Sequence, residues 1–255
     1  MQDRKEGSIL KKDSSTECWN NVNIDEWVEK SQSNDFRIFY IMPYTFDKLG
    51  NVDGRKILDL GCGEGGYSRE LARKGAAVTS ADCSEASIGY CKEQAHKENL
   101  DIQHYIINSN CLDMMNENSF DIVLCSMMLM DVEDLDGTMK EIYRVLKPDG
   151  KVFISILHPC FKGKDAVWKA DGEKIHVTVS GYNHSEVWTG EIKGMSAPIL
   201  YRHRTLSEYI KAFVQNRFRI TDMNEPIPTE EQAGRSPRVA WLKEIPMYLF
   251  IELEK

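Results

Sequence analysis

Short apolar runs recur through the middle of the chain, separated by segments whose apolar residues follow a helical period. Five runs have the length and composition of buried strands: 56–60, 77–81, 102–107, 120–125 and 151–157. The segment that begins at Ser84 carries Ile88, Cys91 and Ala95 on one helical face, and another helix is predicted from Leu135. This alternation predicts an α/β fold built on a parallel sheet.

The alternation breaks after the fifth strand. About 45 residues follow His158 and Pro159 before the next helix, which is longer than an ordinary connection and indicates an inserted element. Strands are predicted within it near 175–179 and 187–192. A helix at 206–214 and strands at 217–223 and 247–253 complete the chain. Because the pattern indicates no helix between the last two strands, we expect the final strand to run antiparallel.

These patterns divide the chain into four parts. We expect residues 1–50 to form a polar tail and lid helices, 51–157 a ligand-binding core, 158–204 an insertion that forms a substrate cover, and 205–255 the end of the core sheet. Residues 1 to about 18 are polar, and we expect them to be frayed. The aromatic and acidic residues of 19–44 predict amphipathic helices that pack on the core or serve as a lid, with Arg37 facing the ligand.

A glycine-rich loop follows the first strand. Glycines stand at 61, 63, 65 and 66, and a helix is predicted from Tyr67. Glycines allow the backbone to approach a ligand closely, and the helix offers its unpaired N-terminal amides to the same ligand. The spacing Gly61-x-Gly63-x-x-Gly66 also fits the dinucleotide fingerprint, so the glycines alone leave the cofactor open.

Two acidic residues distinguish between the cofactors. A carboxylate at Glu64 would face the pyrophosphate of a dinucleotide, whereas a cofactor without phosphates tolerates it. Asp59, at the mouth of the loop, suits a ligand that carries an ammonium or a sulfonium group. The stretch from Lys56 to Gly66 resembles the first motif of the class I S-adenosylmethionine-dependent methyltransferases. The resemblance extends over 57–157, through Asp82, the segment 118–123 and the segment 143–150.

The resemblance implies a Rossmann-like fold with a seven-stranded, mostly parallel sheet, an antiparallel last strand and helices on both faces. It also implies S-adenosyl-L-methionine as the cofactor. Asp82 lies 19 residues after Gly63, where an acid holds the hydroxyls of a ribose. The expected cofactor-binding residues are Asp59, Gly61, Gly63, Asp82, Cys83, Asn110, Cys111 and Ser126. Asn110 stands where the family often has an acid against the adenine, and Asp113 is the alternative acid.

The substrate side is predicted to lie after residue 157. The end of the chain resembles small-molecule methyltransferases, and histidines and aromatic residues concentrate in the insertion, which suggests a planar or aromatic small substrate. His158, directly after the fifth strand, and His203, before the next helix, are the predicted catalytic bases; a structural role for each is the alternative. No ligand spacing supports a metal site among these histidines, so we expect no metal.

Composition limits the partners and the compartment. A net charge of -8 argues against a nucleic-acid partner, because phosphate binding requires a clustered basic surface. No apolar run of membrane-spanning length and no secretory signal is recognised, so we expect no membrane association. Seven cysteines without a Cys-x-x-Cys motif indicate free thiols and a cytoplasmic protein. The oligomeric state is left open.

We therefore predict an enzyme that transfers a methyl group from S-adenosylmethionine to an oxygen or nitrogen atom of a small molecule. Three alternatives remain at this stage. The first is a nicotinamide-dependent oxidoreductase, which Glu64 disfavours. The second is a protein that binds S-adenosylmethionine without catalysis. The third is a methyltransferase with a protein or RNA substrate.

Overall fold

The computed structural model describes residues 13–172 and 174–255, and the predicted tail at 1–12 lies outside these ranges. Residues 14–18, expected to be frayed, instead belong to the first helix. Asp13 caps this helix, and its side chain accepts a hydrogen bond from the backbone amide of Thr16. The cap stabilises a short helix that periodicity alone does not reveal.

The described residues form nine α-helices and eleven strands. The helices are α1 (Ser14–Asn20), α2 (Ile24–Gln32), α3 (Met42–Leu49), α4 (Gly66–Arg73), α5 (Glu85–Lys97), α6 (Leu135–Val145), α7 (Leu206–Gln215), α8 (Glu230–Arg235) and α9 (Pro237–Ala240). The strands are β1 (Lys56–Leu60), β2 (Ala77–Asp82), β3 (Ile102–Ile106), β4 (Phe120–Ser126), β5 (Leu146–Leu157), β6 (Val167–Asp171), β7 (Lys174–Thr178), β8 (Val187–Gly190), β9 (Ile199–Arg202), β10 (Arg219–Asn224) and β11 (Tyr248–Glu254). A π-helical turn at Arg37–Ile41 leads into α3, and a 3-10 turn at Trp241–Lys243 follows α9.

Seven strands form one sheet in the order β10-β11-β5-β4-β1-β2-β3. Pairings among β3, β2, β1, β4 and β5 are parallel, whereas β11 is antiparallel to both β5 and β10. The predicted fold class is therefore confirmed, including the antiparallel last strand. Parallel strands place their carboxyl ends at one edge, which is where ligands bind in open α/β sheets.

Alternate residues of each strand face opposite layers of helices. On β11, Leu249, Ile251 and Leu253 join the core that includes α6 and α7. Tyr248 and Phe250 join the opposite core, which includes α3 and α4. Both sets are buried, which explains the continuous apolar runs of the central strands.

Three connections differ from the sequence prediction. No helix lies between β3 and β4 in this fully described part of the chain, so the strict alternation is interrupted there. β5 begins at Leu146 instead of 151, and Asp149 adopts a positive φ of 61° near a register shift against β4. The polar segment before β11 contains α8 and α9, so the absence of a helix there was the wrong reason for the correct antiparallel pairing.

The insertion consists of two β-hairpins outside the main sheet. β6 pairs with β7 and β8 pairs with β9, both antiparallel. Only one strand of each hairpin was recognised from the sequence.

Among the helices of the described ranges, none is both long enough and apolar enough to cross a lipid bilayer.

Candidate cofactor and substrate site

A cavity of about 680 Å³ opens at the carboxyl edge of the sheet. Its wall includes residues that follow β1, β2 and β4, together with residues of α1, α2 and the insertion. Its volume falls in the range of small-molecule and cofactor sites. The parts of the chain that were predicted as core, lid and cover therefore contribute to one space.

The glycine loop forms one wall of this cavity. Gly61 has a positive φ of 71°, and a Cβ at this position would lie 2.6 Å from the Cβ of Met128. No larger residue fits between the loop and the segment after β4. Gly63 and Gly61 both line the cavity, so their backbone is open to a ligand.

Asp82 connects the loop to the end of β2. Its carboxylate accepts hydrogen bonds from the backbone amides of Gly63 and Ser84, each over 2.9 Å. Burial raises the pKa of Asp82, and the backbone amides partly offset this effect. Asp82 and Cys83 both line the cavity, as expected for residues that contact a ribose.

Asp59 lies deeper in the same wall. It is 2% exposed, and the hydroxyl of Ser68 donates a hydrogen bond of 2.5 Å to its carboxylate. Burial raises the pKa of Asp59 to about 6, while the bond from Ser68 opposes the shift. A cationic group of a ligand would favour the ionised carboxylate.

Glu64 has a role that the sequence did not indicate. It is 2% exposed and pairs with Arg37 over 2.5 Å and with Arg69 over 2.8 Å. Burial raises the pKa of Glu64, but the two guanidinium groups outweigh it, and the net pKa is lowered. Glu64 thus joins the loop to the N-terminal helices. Arg37 lines the cavity while held by this pair and by the carbonyl of Ser31, to which it donates over 3.1 Å.

The segment after β3 forms another part of the wall. Asn110 lines the cavity, and its side-chain amide donates to Asp134 over 3.1 Å. Its carbonyl oxygen is buried and has no hydrogen-bond partner among the described residues, so it suits a donor such as the amino group of an adenine. Cys111 does not line the cavity, and its thiol instead lies 3.2 Å from the carboxylate of Asp113. Ser126 lines the cavity beside the hydroxyl of Ser155, 3.1 Å away.

The two predicted histidines occupy different surroundings. His158 lines neither this cavity nor the smaller one described below. Its Nδ1 accepts from the backbone amide of Cys160 over 3.1 Å, so Nε2 carries the proton and donates to Glu225 over 2.5 Å. Burial lowers the pKa of His158, and Glu225 partly opposes this. Both ring nitrogens of His158 are therefore engaged within the protein.

His203 lies at a second cavity of about 220 Å³. Its Nε2 donates to the carbonyl of Tyr182 over 2.7 Å, which leaves Nδ1 with its lone pair. Met130, Leu157 and Tyr201 line both cavities, so the smaller space adjoins the larger one. His203 is thus the better placed of the two histidines to reach a substrate.

The cavity also contains residues that were not among the predicted site residues. Trp19 and Trp27 line it as an edge-to-face pair with ring centroids 4.9 Å apart. Asp131 lines it after β4, and burial raises the pKa of its carboxyl to about 7 although Arg202 and Arg204 oppose the shift. The signal for Asp131 in the sequence is its position as an acid shortly after β4, but the apolar residues 127–130 before it favour a packing role.

Comparison with known proteins agrees with this geometry. Residues 58–154 match the family model described as a methyltransferase domain. The segment from β1 to β5 is thus similar to a methyltransferase domain, as the resemblance to the class I methyltransferases implied. Similar proteins of known structure are S-adenosylmethionine-dependent methyltransferases. The predicted family and the predicted cofactor, S-adenosylmethionine, are therefore confirmed.

Similar proteins extend the comparison. A ubiquinone biosynthesis O-methyltransferase from Pseudomonas entomophila is 33% identical over 112 residues, which are 44% of this chain and 48% of that protein. This chain therefore matches about half the length of that relative. A crystal structure of an S-adenosylmethionine-dependent methyltransferase from Mesorhizobium loti has a TM-score of 0.73, with 23% identity over 88% of this chain and 99% of the other. A Listeria monocytogenes protein provisionally assigned to the same class has a TM-score of 0.69, with 26% identity over 84% and 96%.

Proposed function

We propose that the protein transfers a methyl group from S-adenosylmethionine to an oxygen or nitrogen atom of a small molecule. One observation carries this proposal: a single cavity is lined by the glycine loop and Asp82 on one side and by Ile199 and Tyr201 of the insertion on the other. Such a space can hold a cofactor and an acceptor together. The relative's name, which describes an O-methyltransferase of a biosynthetic pathway, is consistent with a small acceptor.

The residues on the cofactor side have separate roles. Asp82 would hold the ribose hydroxyls, Asn110 the adenine, and Asp59 the cationic methionine end, with Gly61 and Gly63 allowing close approach. Cys83, Cys111 and Ser126 stay proposed contacts, although Cys111 would have to act through its backbone. S-adenosylmethionine supplies a methyl group on a positively charged sulfur.

On the substrate side, the protein positions the acceptor and removes its proton. Bound S-adenosylmethionine would supply the methyl group to the acceptor's lone pair, and the electron pair of the broken carbon–sulfur bond would stay on the sulfur of S-adenosylhomocysteine. Walls contributed by Trp27 and Tyr201 exclude water and hold the acceptor in line. The acceptor's proton passes to a cavity-lining base, for which Asp131 is the first choice and His203, at the adjoining cavity, the second.

The rival functions are weakened by specific contacts. A nicotinamide cofactor would bring its pyrophosphate against the loop that holds the buried, ionised Glu64. A binder without catalysis needs no second space beside the cofactor, whereas the insertion lines such a space here.

The experiment uses the full chain and radiolabelled S-adenosylmethionine. Calorimetry first measures binding of S-adenosylhomocysteine, and label transfer is then followed into separate pools of phenols, amines, protein and RNA. We expect cofactor binding in the micromolar range and transfer to small molecules only. Binding without transfer to any pool would favour the non-catalytic alternative, and labelling of protein or RNA would overturn the small-molecule assignment.

A further inference from the structure

The second cavity is built from cations and aromatic rings. Among the residues that the structure describes, no aspartate or glutamate lines it, whereas Lys162, Arg202 and Arg204 do. Trp188 and Tyr201 stack in its wall with ring centroids 5.6 Å apart and an interplanar angle of 18°. At about 220 Å³ it is smaller than a typical ligand site, so it suits one part of a ligand that extends from the main cavity.

Most of its cations already have partners within the protein. Lys164 pairs with Glu186 over 3.0 Å, and Arg202 donates to Glu133 over 3.4 Å. Arg204 donates to the backbone carbonyls of Leu129, Val132 and Glu133, which are neutral acceptors. These bonds fix the positions of the arginines and leave the charge of Arg204 without a hydrogen-bonded carboxylate.

Lys162 differs from its neighbours. Within residues 13–172 and 174–255 its ammonium makes no hydrogen bond or ion pair. Its side chain is exposed, and part of that exposed surface belongs to the cavity wall. The pKa of Lys162 is lowered, first by partial desolvation of its ammonium group and then by the positive charge of Arg238.

Arg238 is the second unpaired cation of this region. It lines the main cavity, and its guanidinium lies 4.7 Å from the ring centroid of Phe36. The described part of the chain offers it no carboxylate. Lys162 lines the smaller cavity and Arg238 the larger one, and the two cavities share Met130, Leu157 and Tyr201, so one ligand that spans both can meet both cations.

We propose that the methyl acceptor is an aromatic acid whose carboxylate binds between Lys162 and Arg238, with its ring against Trp188 and Tyr201. This inference rests on the proposed function and names its substrate class. The carboxylate would supply a counter-charge, and the ring would pack against the stacked aromatic pair. The hydroxyl or amine to be methylated would then extend into the main cavity, toward the cofactor.

Calorimetry with matched probes tests this inference. Benzoate, 4-hydroxybenzoate and indole-3-acetate are titrated against the full chain, with and without S-adenosylhomocysteine, and compared with the corresponding amides. We expect each acid to bind more tightly than its amide. In Lys162→Met and in Arg238→Met, affinity for the acids should fall roughly 10- to 100-fold while affinity for the amides stays unchanged.

Lys164→Met is the matched control, because this lysine lines the same cavity but is paired with Glu186. It should change acid affinity by less than about twofold. Equal binding of acids and amides, no acid binding at millimolar concentration, or unchanged affinity in the Lys162 and Arg238 variants would each overturn the inference. Loss of cofactor binding would instead overturn the proposed function, and the titrations without cofactor keep the two outcomes separate.

Discussion

The carboxylate of Asp82 accepts a hydrogen bond of 2.9 Å from the backbone amide of Gly63. One side chain at the end of β2 thus holds the loop after β1 in place. The acid expected to bind a ribose also shapes the glycine loop that surrounds the rest of the cofactor. Loss of Asp82 should therefore affect the cofactor both directly and through the loop.

We expect Asp82→Ala to weaken binding of S-adenosylhomocysteine by about 2 kcal/mol or more, because hydrogen-bond partners on the ligand and on the loop are left unmet. Calorimetry at neutral pH measures the change. Glu85→Ala is the matched control, since Glu85 is exposed at the start of the following helix and does not line the cavity. Unchanged affinity in Asp82→Ala would remove this residue from the site.

The buried cluster of Glu64, Arg37 and Arg69 predicts an effect on stability. Glu64→Gln should lower the free energy of unfolding by about 3 kcal/mol, because Arg37 loses its counter-charge and Arg69 keeps only its pair with Glu98. Denaturant unfolding measures the change, and Glu70→Gln, whose partners are exposed, should cost less than about 0.5 kcal/mol.

The same pair has a defined pH dependence. Since the pKa of Glu64 is lower in the folded chain than in the unfolded chain, its contribution is present at neutral pH and is lost as pH falls through the lowered pKa. The stability difference between wild type and Glu64→Gln should therefore shrink below about pH 4.5. A difference that stays constant across this range would contradict an ionised Glu64.

Asp59 predicts that cofactor affinity depends on pH. Its pKa is raised to about 6, and a cationic ligand favours the ionised form. Because an α-amino group stays protonated below about pH 7.7, affinity for S-adenosylhomocysteine should rise between pH 5 and pH 7. Asp59→Asn should bind more weakly at pH 7 and lose this dependence. Identical pH profiles in both proteins would show that another group governs binding.

The central sheet was predictable because its signals are local. Apolar runs marked the strands, and the glycine loop with Asp82 at the correct spacing identified the cofactor edge. The first strand of the insertion, β6, was missed because its residues are almost all exposed and show no alternation. The helix α8 was not predicted because it is short, although the capping box of Thr229 and Gln232 is a sequence signal for its start.

The site was predictable in part, for a different reason. Several residues proposed from the sequence line the cavity, including Gly61, Gly63 and Asp82, whereas Arg238 reaches the cavity only through tertiary packing. The partners of Glu64 likewise depend on the packing of the N-terminal helices, since Arg37 lies 27 residues before it. A single sequence contains no local pattern for such contacts.

The proton of the acceptor is expected to pass to Asp131, which lines the main cavity and has a pKa raised to about 7. The rate of methyl transfer should rise with pH through about 7, because only the ionised carboxylate accepts a proton. Asp131→Asn should lower the maximal rate about 100-fold and remove this dependence. His158→Asn should change the rate only a few fold, since both ring nitrogens of His158 are already bonded and the side chain lines neither cavity. Initial rates at saturating cofactor, measured from pH 5 to pH 9, compare the Asp131→Asn and His158→Asn variants. A large loss of rate in His203→Asn without a loss in Asp131→Asn would assign the role of base to His203 instead.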